Sequence, residues 1–216
     1  MKYNVTPCPL CLSEQTHFYH QDKNRHYHQC ACCQLVFVLP DFRLDPAQEK
    51  AHYDNHENTS EDFGYRQFLS RLATPLIERL SANSMGLDFG CGPGPTLSKI
   101  MHESGHHVCL YDIYYYPNTS VLKQTYDFVT ATEVIEHLYY PDQVWNTWLS
   151  LVKPGGWLAI MTKQVTDLAG FTNWHYKLDM THVVFFSQAT FEYLAKRDNL
   201  TLEFVGNDVV LFRKNG

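Results

Sequence analysis

The chain has 216 residues, 44% hydrophobic and 14% aromatic, enough apolar side chain for one domain of ordinary size and a small appendage. Its net charge of −6, from 17 basic and 23 acidic side chains, gives no basic face for long nucleic acid and leaves open only a local patch. The first residues lack a basic-then-apolar leader pattern and the longest early apolar run, residues 35–39, is too short for a bilayer; a soluble cytoplasmic protein without membrane contact is expected.

In such a compartment the seven cysteines are thiols or metal ligands before they are disulfides. Within residues 1–45, Cys8-Pro9-Leu10-Cys11 and Cys30-Ala31-Cys32-Cys33 stand 18 residues apart, a spacing that suits a four-cysteine zinc site. Each two-residue spacer lets a tight turn aim both sulfurs at one ion, so Cys8, Cys11, Cys30 and Cys33 are the expected ligands. Cys32 is the spare, although a different pairing stays open. Four thiolates leave no position for substrate, which makes the zinc structural, in place of a core that so short a segment cannot build. Residues 16–20, 25–29 and 34–38 alternate like strands, with the histidines between the knuckles on their surface. The segment resembles a zinc ribbon.

Residues 46–84 read as a linker and a first helix. After Asp45-Pro46, the polar run over residues 48–61 contains His52, Tyr53, His56 and Asn58. Then Phe68, Leu69, Leu72, Leu76, Ile77 and Leu80 keep a helical stripe, interrupted or restarted at Thr74-Pro75. Tyr65, Arg66 and Arg71 read as solvated or capping side chains in preference to cover for a ligand.

Residues 85–216 open with a strand, Leu87-Asp88-Phe89, that stops at Gly90-Cys91-Gly92-Pro93-Gly94-Pro95. Glycines at this spacing let the backbone turn sharply and approach a ligand, and Pro95 suits the start of a helix over 95–104. The turn is a nucleotide site of unsettled type. Pro95 stands where a dinucleotide fingerprint needs glycine or alanine, and no Gly-Lys-Ser/Thr follows as in a P-loop. A second strand over 105–112 ends in Asp112, 22 residues after Gly90, where a carboxylate can accept both ribose hydroxyls. Only 13 residues separate Asp112 from the next strand at Tyr126.

That strand leads into Thr132-Glu133-Val134-Ile135-Glu136-His137, and Leu151-Val152-Lys153-Pro154-Gly155-Gly156-Trp157-Leu158 follows a helix opened by Pro141. With the D-x-G-x-G-x-G turn at Asp88, these segments resemble class I S-adenosylmethionine (SAM) dependent methyltransferases over residues 85–216. The whole chain is similar to bacterial zinc-ribbon methyltransferases of unassigned substrate. The resemblance implies an α/β fold: a Rossmann-like sheet with helices on both faces and an antiparallel closing hairpin, residues 201–205 and 209–213, plus the small N-terminal zinc ribbon. It implies SAM as cofactor beside zinc, with Asp88, Gly90, Cys91, Gly92, Gly94, Asp112, Ile113, Thr132 and Glu133 as its binding residues. The glycine loop would curve around the amino acid end, and Thr132 and Glu133 would border the methyl group. A strand and a helix usual after the acid are missing, so adenine contacts do not carry over.

His137 is a candidate base or orienting residue, as is a later segment around Asn173-Trp174-His175-Tyr176-Lys177-Leu178-Asp179-Met180-Thr181-His182. This segment falls at the carboxyl edge of the sheet, where α/β folds bind substrates. His175 and His182 fit a base with a near-neutral pKa, and Asp179 fits its orienter; the same residues serve equally to fix the loop. Trp145 and Trp148 have core spacing. The expected activity is methyl transfer to a small-molecule acceptor. The alternatives are an RNA or protein methyltransferase gripping its substrate with the ribbon, which has only Lys23 and Arg25 between its knuckles, and a non-enzymatic SAM or zinc binding module.

Overall fold

The computed structural model describes residues 6–54 and 61–216, so His56 and Asn58 of the polar run lie outside the described residues. Its first strands are β1 (Thr16–Gln21), β2 (His26–Cys30) and β3 (Val36–Val38). The two knuckles fold alike. Leu12 and Gln34, each following the second cysteine of a pair, take φ of 61° and 61°, and their amides donate to the carbonyls of Cys8 and Cys30 at 3.0 and 3.0 Å. This closes each C-x-x-C into a turn with both sulfurs on one side.

Helix α1 (Pro46–Tyr53) begins in a capping box: the Asp45 side chain accepts from Ala47 and Gln48, and Gln48 returns the bond to the Asp45 amide. Helix α2 (Phe63–Ile77) is capped by Asp62 and runs through Thr74-Pro75 without the expected break. Pro75 falls in the last turn, where it removes one amide near an end that frays in any case, and buried Leu69, Leu72 and Leu76 hold the stripe on the core.

The remaining elements are β4 (Met85–Phe89), α3 (Thr96–Glu103), β5 (His107–Tyr111), β6 (Tyr126–Thr132), α4 (Pro141–Leu151), β7 (Val152–Met161), α5 (Leu168–Thr172), β8 (Val184–Phe185), α6 (Gln188–Arg197), β9 (Leu200–Val205) and β10 (Val209–Lys214). Six strands form the central sheet in the order β5-β4-β6-β7-β10-β9. Strands β5, β4, β6 and β7 pair in parallel, while β10 and β9 close the sheet as an antiparallel hairpin. Between Asp112 and β6 the chain makes only a short 3₁₀ turn, Thr119–Lys123, which leaves β5 at the sheet edge.

Both faces of this sheet are covered. On one, Trp145, Trp148 and Leu151 of α4 and Phe191 and Leu194 of α6 pack with Leu87, Val129, Ile160 and Val210; both tryptophans are core. On the other, Leu69, Leu72 and Leu76 of α2 and Leu97 and Met101 of α3 pack with Phe128, Ala159 and Leu211. Alternation along β6 and β7 sends successive side chains to opposite faces.

The ribbon is fastened to this body by backbone. Strands β1, β2, β3 and β8 form a second, antiparallel sheet, with Val36 opposite Phe185 and Phe37 opposite Val184. Cys8, Leu10, Cys33, Leu35 and Phe37 belong to the same apolar cluster as Phe186, Phe191 and Leu194. Among the described residues no helix is long and apolar enough to cross a membrane.

Candidate active site

A cavity of about 440 Å³ opens at the carboxyl ends of β4, β5 and β6. Its floor is the glycine turn. Gly90 and Gly92 have φ of 74° and 63°, and a Cβ on Gly90 would lie 2.5 Å from Val134 Cγ2, so the turn needs glycine for both its backbone and its space. The Gly90 amide donates to the Tyr111 carbonyl at 2.7 Å, and the Gly92 amide to Asp112 Oδ2 at 3.1 Å. Asp112 Oδ1 accepts from the amides of Tyr114 and Tyr115 at 2.8 and 3.1 Å, which locks the acid at the end of β5 against the turn.

Of the nine residues expected at the cofactor, Gly90, Cys91, Gly92, Gly94, Asp112, Ile113, Thr132 and Glu133 line this cavity. Asp88 does not. It is buried, accepts from Thr130 Oγ1 at 2.9 Å, and burial pushes its carboxyl up to about 7. Burial also raises the Cys91 thiol, which keeps it protonated.

Helix α1 covers the cavity from outside. Tyr53 and Tyr114 donate to Glu49 at 3.0 and 3.4 Å, joining α1 to the loop after β5, and Glu49, Tyr53 and Tyr114 all line the cavity. Tyr65 and Phe68 of α2 line it too, whereas Arg66 pairs with Glu103 and Arg71 with Asp208 at 2.8 Å.

The opposite wall is built by the 3₁₀ turn Ile135–His137 and the loop after α5. His137, Asp179 and His182 line it; His175 does not, since its ring is exposed and its Nε2 meets Lys163 Nζ at 2.9 Å. The rings of His137 and His182 pack edge to face, 4.7 Å apart. His182 Nδ1 lies 2.7 Å from the Tyr176 carbonyl, and burial lowers its pKa below the ordinary imidazole value, so the ring is neutral near pH 7. Burial would raise Asp179, but hydrogen bonds from the Thr181 hydroxyl and amide outweigh it and hold the carboxyl down to about 2.

Beneath this wall lies a buried acid pair. Tyr176 OH reaches Glu133 Oε2 at 3.2 Å and Glu136 Oε1, and burial pushes Glu133 up to about 7 and Glu136 well above the ordinary range. One hydroxyl proton cannot serve two carboxylates, so the pair retains a proton of its own near neutrality. Glu136 was legible as the second acid of the E-x-x-E-H segment but was not singled out; Tyr53 was hidden in a polar run.

Arg25, which the sequence offers only as a phosphate contact, gives no sign there of a place beside this wall. It is 1% exposed, and its guanidinium donates to the carbonyls of Asp179 at 3.1 Å, Met180 at 3.3 Å and His182 at 2.8 Å, and to that of Lys177. A ribbon residue therefore clamps the loop that carries Asp179 and His182. In the ribbon itself, the Sγ atoms of Cys8, Cys11, Cys30 and Cys33 lie within 4.8 Å of one another, with Cys8–Cys33 at 3.5 Å and Cys11–Cys30 at 3.4 Å. Bonds of about 2.3 Å in a tetrahedron put sulfurs roughly 3.8 Å apart, so the set fits zinc. Cys32 is exposed outside it.

Residues 64–204, well over half of the chain, match the family model described as a methyltransferase domain. No curated protein matches the sequence. The chain is similar in structure to the 1,6-didemethyltoxoflavin-N1-methyltransferase of Burkholderia thailandensis with bound 1,6-didemethyltoxoflavin and S-adenosylhomocysteine, at 15% identity and a TM-score of 0.51, over 93% of this chain and 100% of that one. Human N-acetylserotonin methyltransferase in complex with SAM is similar at 14% identity and 0.51, over 70% of this chain and 54% of that one. The plantazolicin methyltransferase BpumL, in complex with S-adenosylhomocysteine, is similar at 16% identity and 0.50, over 82% and 91%. At such identities the likeness is one of fold.

Proposed function

The chain belongs to the methyltransferase domain family, and from that premise we propose that this SAM-dependent methyltransferase acts on a small-molecule acceptor bound against the wall of His137 and His182. The observation that carries the reading is that one covered cavity unites the glycine turn, Asp112, Thr132, Glu133 and the imidazole wall. Gly90, Gly92 and Gly94 take the amino acid end of SAM, Asp112 its ribose hydroxyls, and Thr132 and Glu133 flank the methyl group. Asp88 supports the turn from behind.

The reaction is an in-line displacement, so alignment of acceptor atom, methyl carbon and sulfur is the main demand on the protein. The acceptor's heteroatom attacks the methyl carbon, and the carbon–sulfur electron pair leaves on sulfur as S-adenosylhomocysteine. The polar wall orients that heteroatom, whose proton leaves to solvent, while α1 covers the cavity.

A cavity roofed by Tyr53, Tyr65 and Phe68 supports a compact acceptor. The buried state of Arg25 further weakens the RNA reading, because it withdraws one of the two basic side chains between the knuckles from any phosphate. In the ribbon, Cys8, Cys11, Cys30 and Cys33 would hold a structural zinc that organises residues 6–45 and, through Arg25, the acceptor loop. Reduced thiols there agree with a cytoplasmic setting.

Calorimetric titration of S-adenosylhomocysteine tests the cofactor site. Micromolar binding is expected, at least ~10-fold weaker in Asp112→Ala, the loss of a charged hydrogen-bond acceptor. Absence of binding to folded, zinc-loaded protein would overturn the assignment.

A further inference from the structure

We infer that Glu136, His137 and His182 form a second metal site, for a divalent transition ion, in the wall of the cavity. Each residue offers one ligand atom, and the three atoms lie within 4.8 Å of one another. Bonds of about 2.0–2.2 Å to one ion place its ligand atoms roughly 3–4 Å apart, within reach of this spacing.

Glu136 supplies an independent observation. The residue is fully buried, its Oε1 is held by Tyr176, and its Oε2 has no hydrogen-bond partner. A buried carboxyl oxygen left without a partner is costly, and a cation beside it removes the cost. The imidazoles are arranged to match. His182 Nδ1 faces the Tyr176 carbonyl at 2.7 Å and His137 Nδ1 the Thr181 carbonyl at 3.2 Å, which selects the Nδ1–H tautomer and fixes the orientation of each ring. Metal-bound histidines are oriented by this kind of outer hydrogen bond. Arg25 holds the carbonyls on either side of Thr181, so the loop enters the site already fixed.

Two imidazoles and one carboxylate suit zinc, manganese or ferrous iron, in contrast to the thiolates of the ribbon. Both imidazoles line the cavity, so the remaining coordination positions open toward the acceptor. The ion's role, though not its binding, rests on the methyltransferase reading. An acceptor hydroxyl entering an open position loses its proton to water, its oxygen takes the methyl group from sulfur, and the ion acts as a Lewis acid without changing oxidation state.

Manganese is the probe, because so hard an ion avoids the ribbon thiolates. In an electron paramagnetic resonance titration, wild-type protein should bind one Mn²⁺ per chain, released by added Zn²⁺. Binding should weaken at least ~10-fold in Glu136→Gln and in His182→Gln. His137→Gln, at a less buried position, serves as the third variant should either of the others fail to fold. No Mn²⁺ binding, or equal binding in folded variants, would overturn the site. S-adenosylhomocysteine titrated into the same samples separates the two readings. Cofactor binding without metal overturns this proposal alone; metal binding without cofactor overturns the methyltransferase site and leaves this one standing.

Discussion

Arg25 spends a buried guanidinium on backbone carbonyls of residues 177–182, which ties the ribbon to the loop bearing Asp179 and His182. Each hydrogen bond to a charged group contributes about 1.5–3 kcal/mol, and a hydrophobic replacement leaves carbonyls unsatisfied. Arg25→Met should therefore lose about 3–5 kcal/mol in urea unfolding. It should leave the affinity for S-adenosylhomocysteine within about threefold while turnover falls, because the glycine turn is held by other bonds; equal losses in both would argue against a positioning role. Asp88 gives a second prediction. Burial holds its folded pKa at about 7, above the ordinary carboxylate range, so the native state binds this proton more tightly than the unfolded chain. Its contribution to stability is greatest below the unfolded pKa and declines as pH rises from about 4 to 7. Asp88→Asn should remove that decline, so its melting temperature relative to wild type should climb across this window. A constant difference would place the charge on Asp88 even in acid.

At the scale of elements, local chemistry explains most boundaries. Pro141 opens α4, the Ser187–Thr190 capping box opens α6, and the glycine turn ends β4. The knuckles read equally well, since a C-x-x-C turn is a short-range object. Pro75 misled because its effect depends on distance from the helix end, which the stripe alone did not define. If zinc holds the knuckles, Cys33→Ser should lose it, and the damage should spread beyond the ribbon because Cys33, Leu35 and Phe37 share an apolar cluster with Phe186, Phe191 and Leu194. A loss of about 2–5 kcal/mol, or roughly 5–15 °C in melting temperature, is expected for the whole protein in calorimetry. A melt unchanged despite loss of zinc would mean that the ribbon folds without its metal.

Over the whole molecule, the sheet order and the cavity at its carboxyl edge follow from parallel pairing of strands that the sequence displays as apolar runs. By itself the sequence determined the knuckles, the glycine turn, Asp112, the E-x-x-E-H segment and the shortened stretch before β6, because each depends on residues a few positions apart. Only the tertiary structure decided which of the distant polar residues meet. It brought Asp179 and His182 to His137 and turned His175 out to Lys163, although both histidines stand in one loop. It laid α1 over the cavity, joined β3 to β8, and buried Arg25 among carbonyls more than 150 positions away. Burial and partners across such separations are set by how the layers pack, and a single chain of letters carries no short-range mark of them.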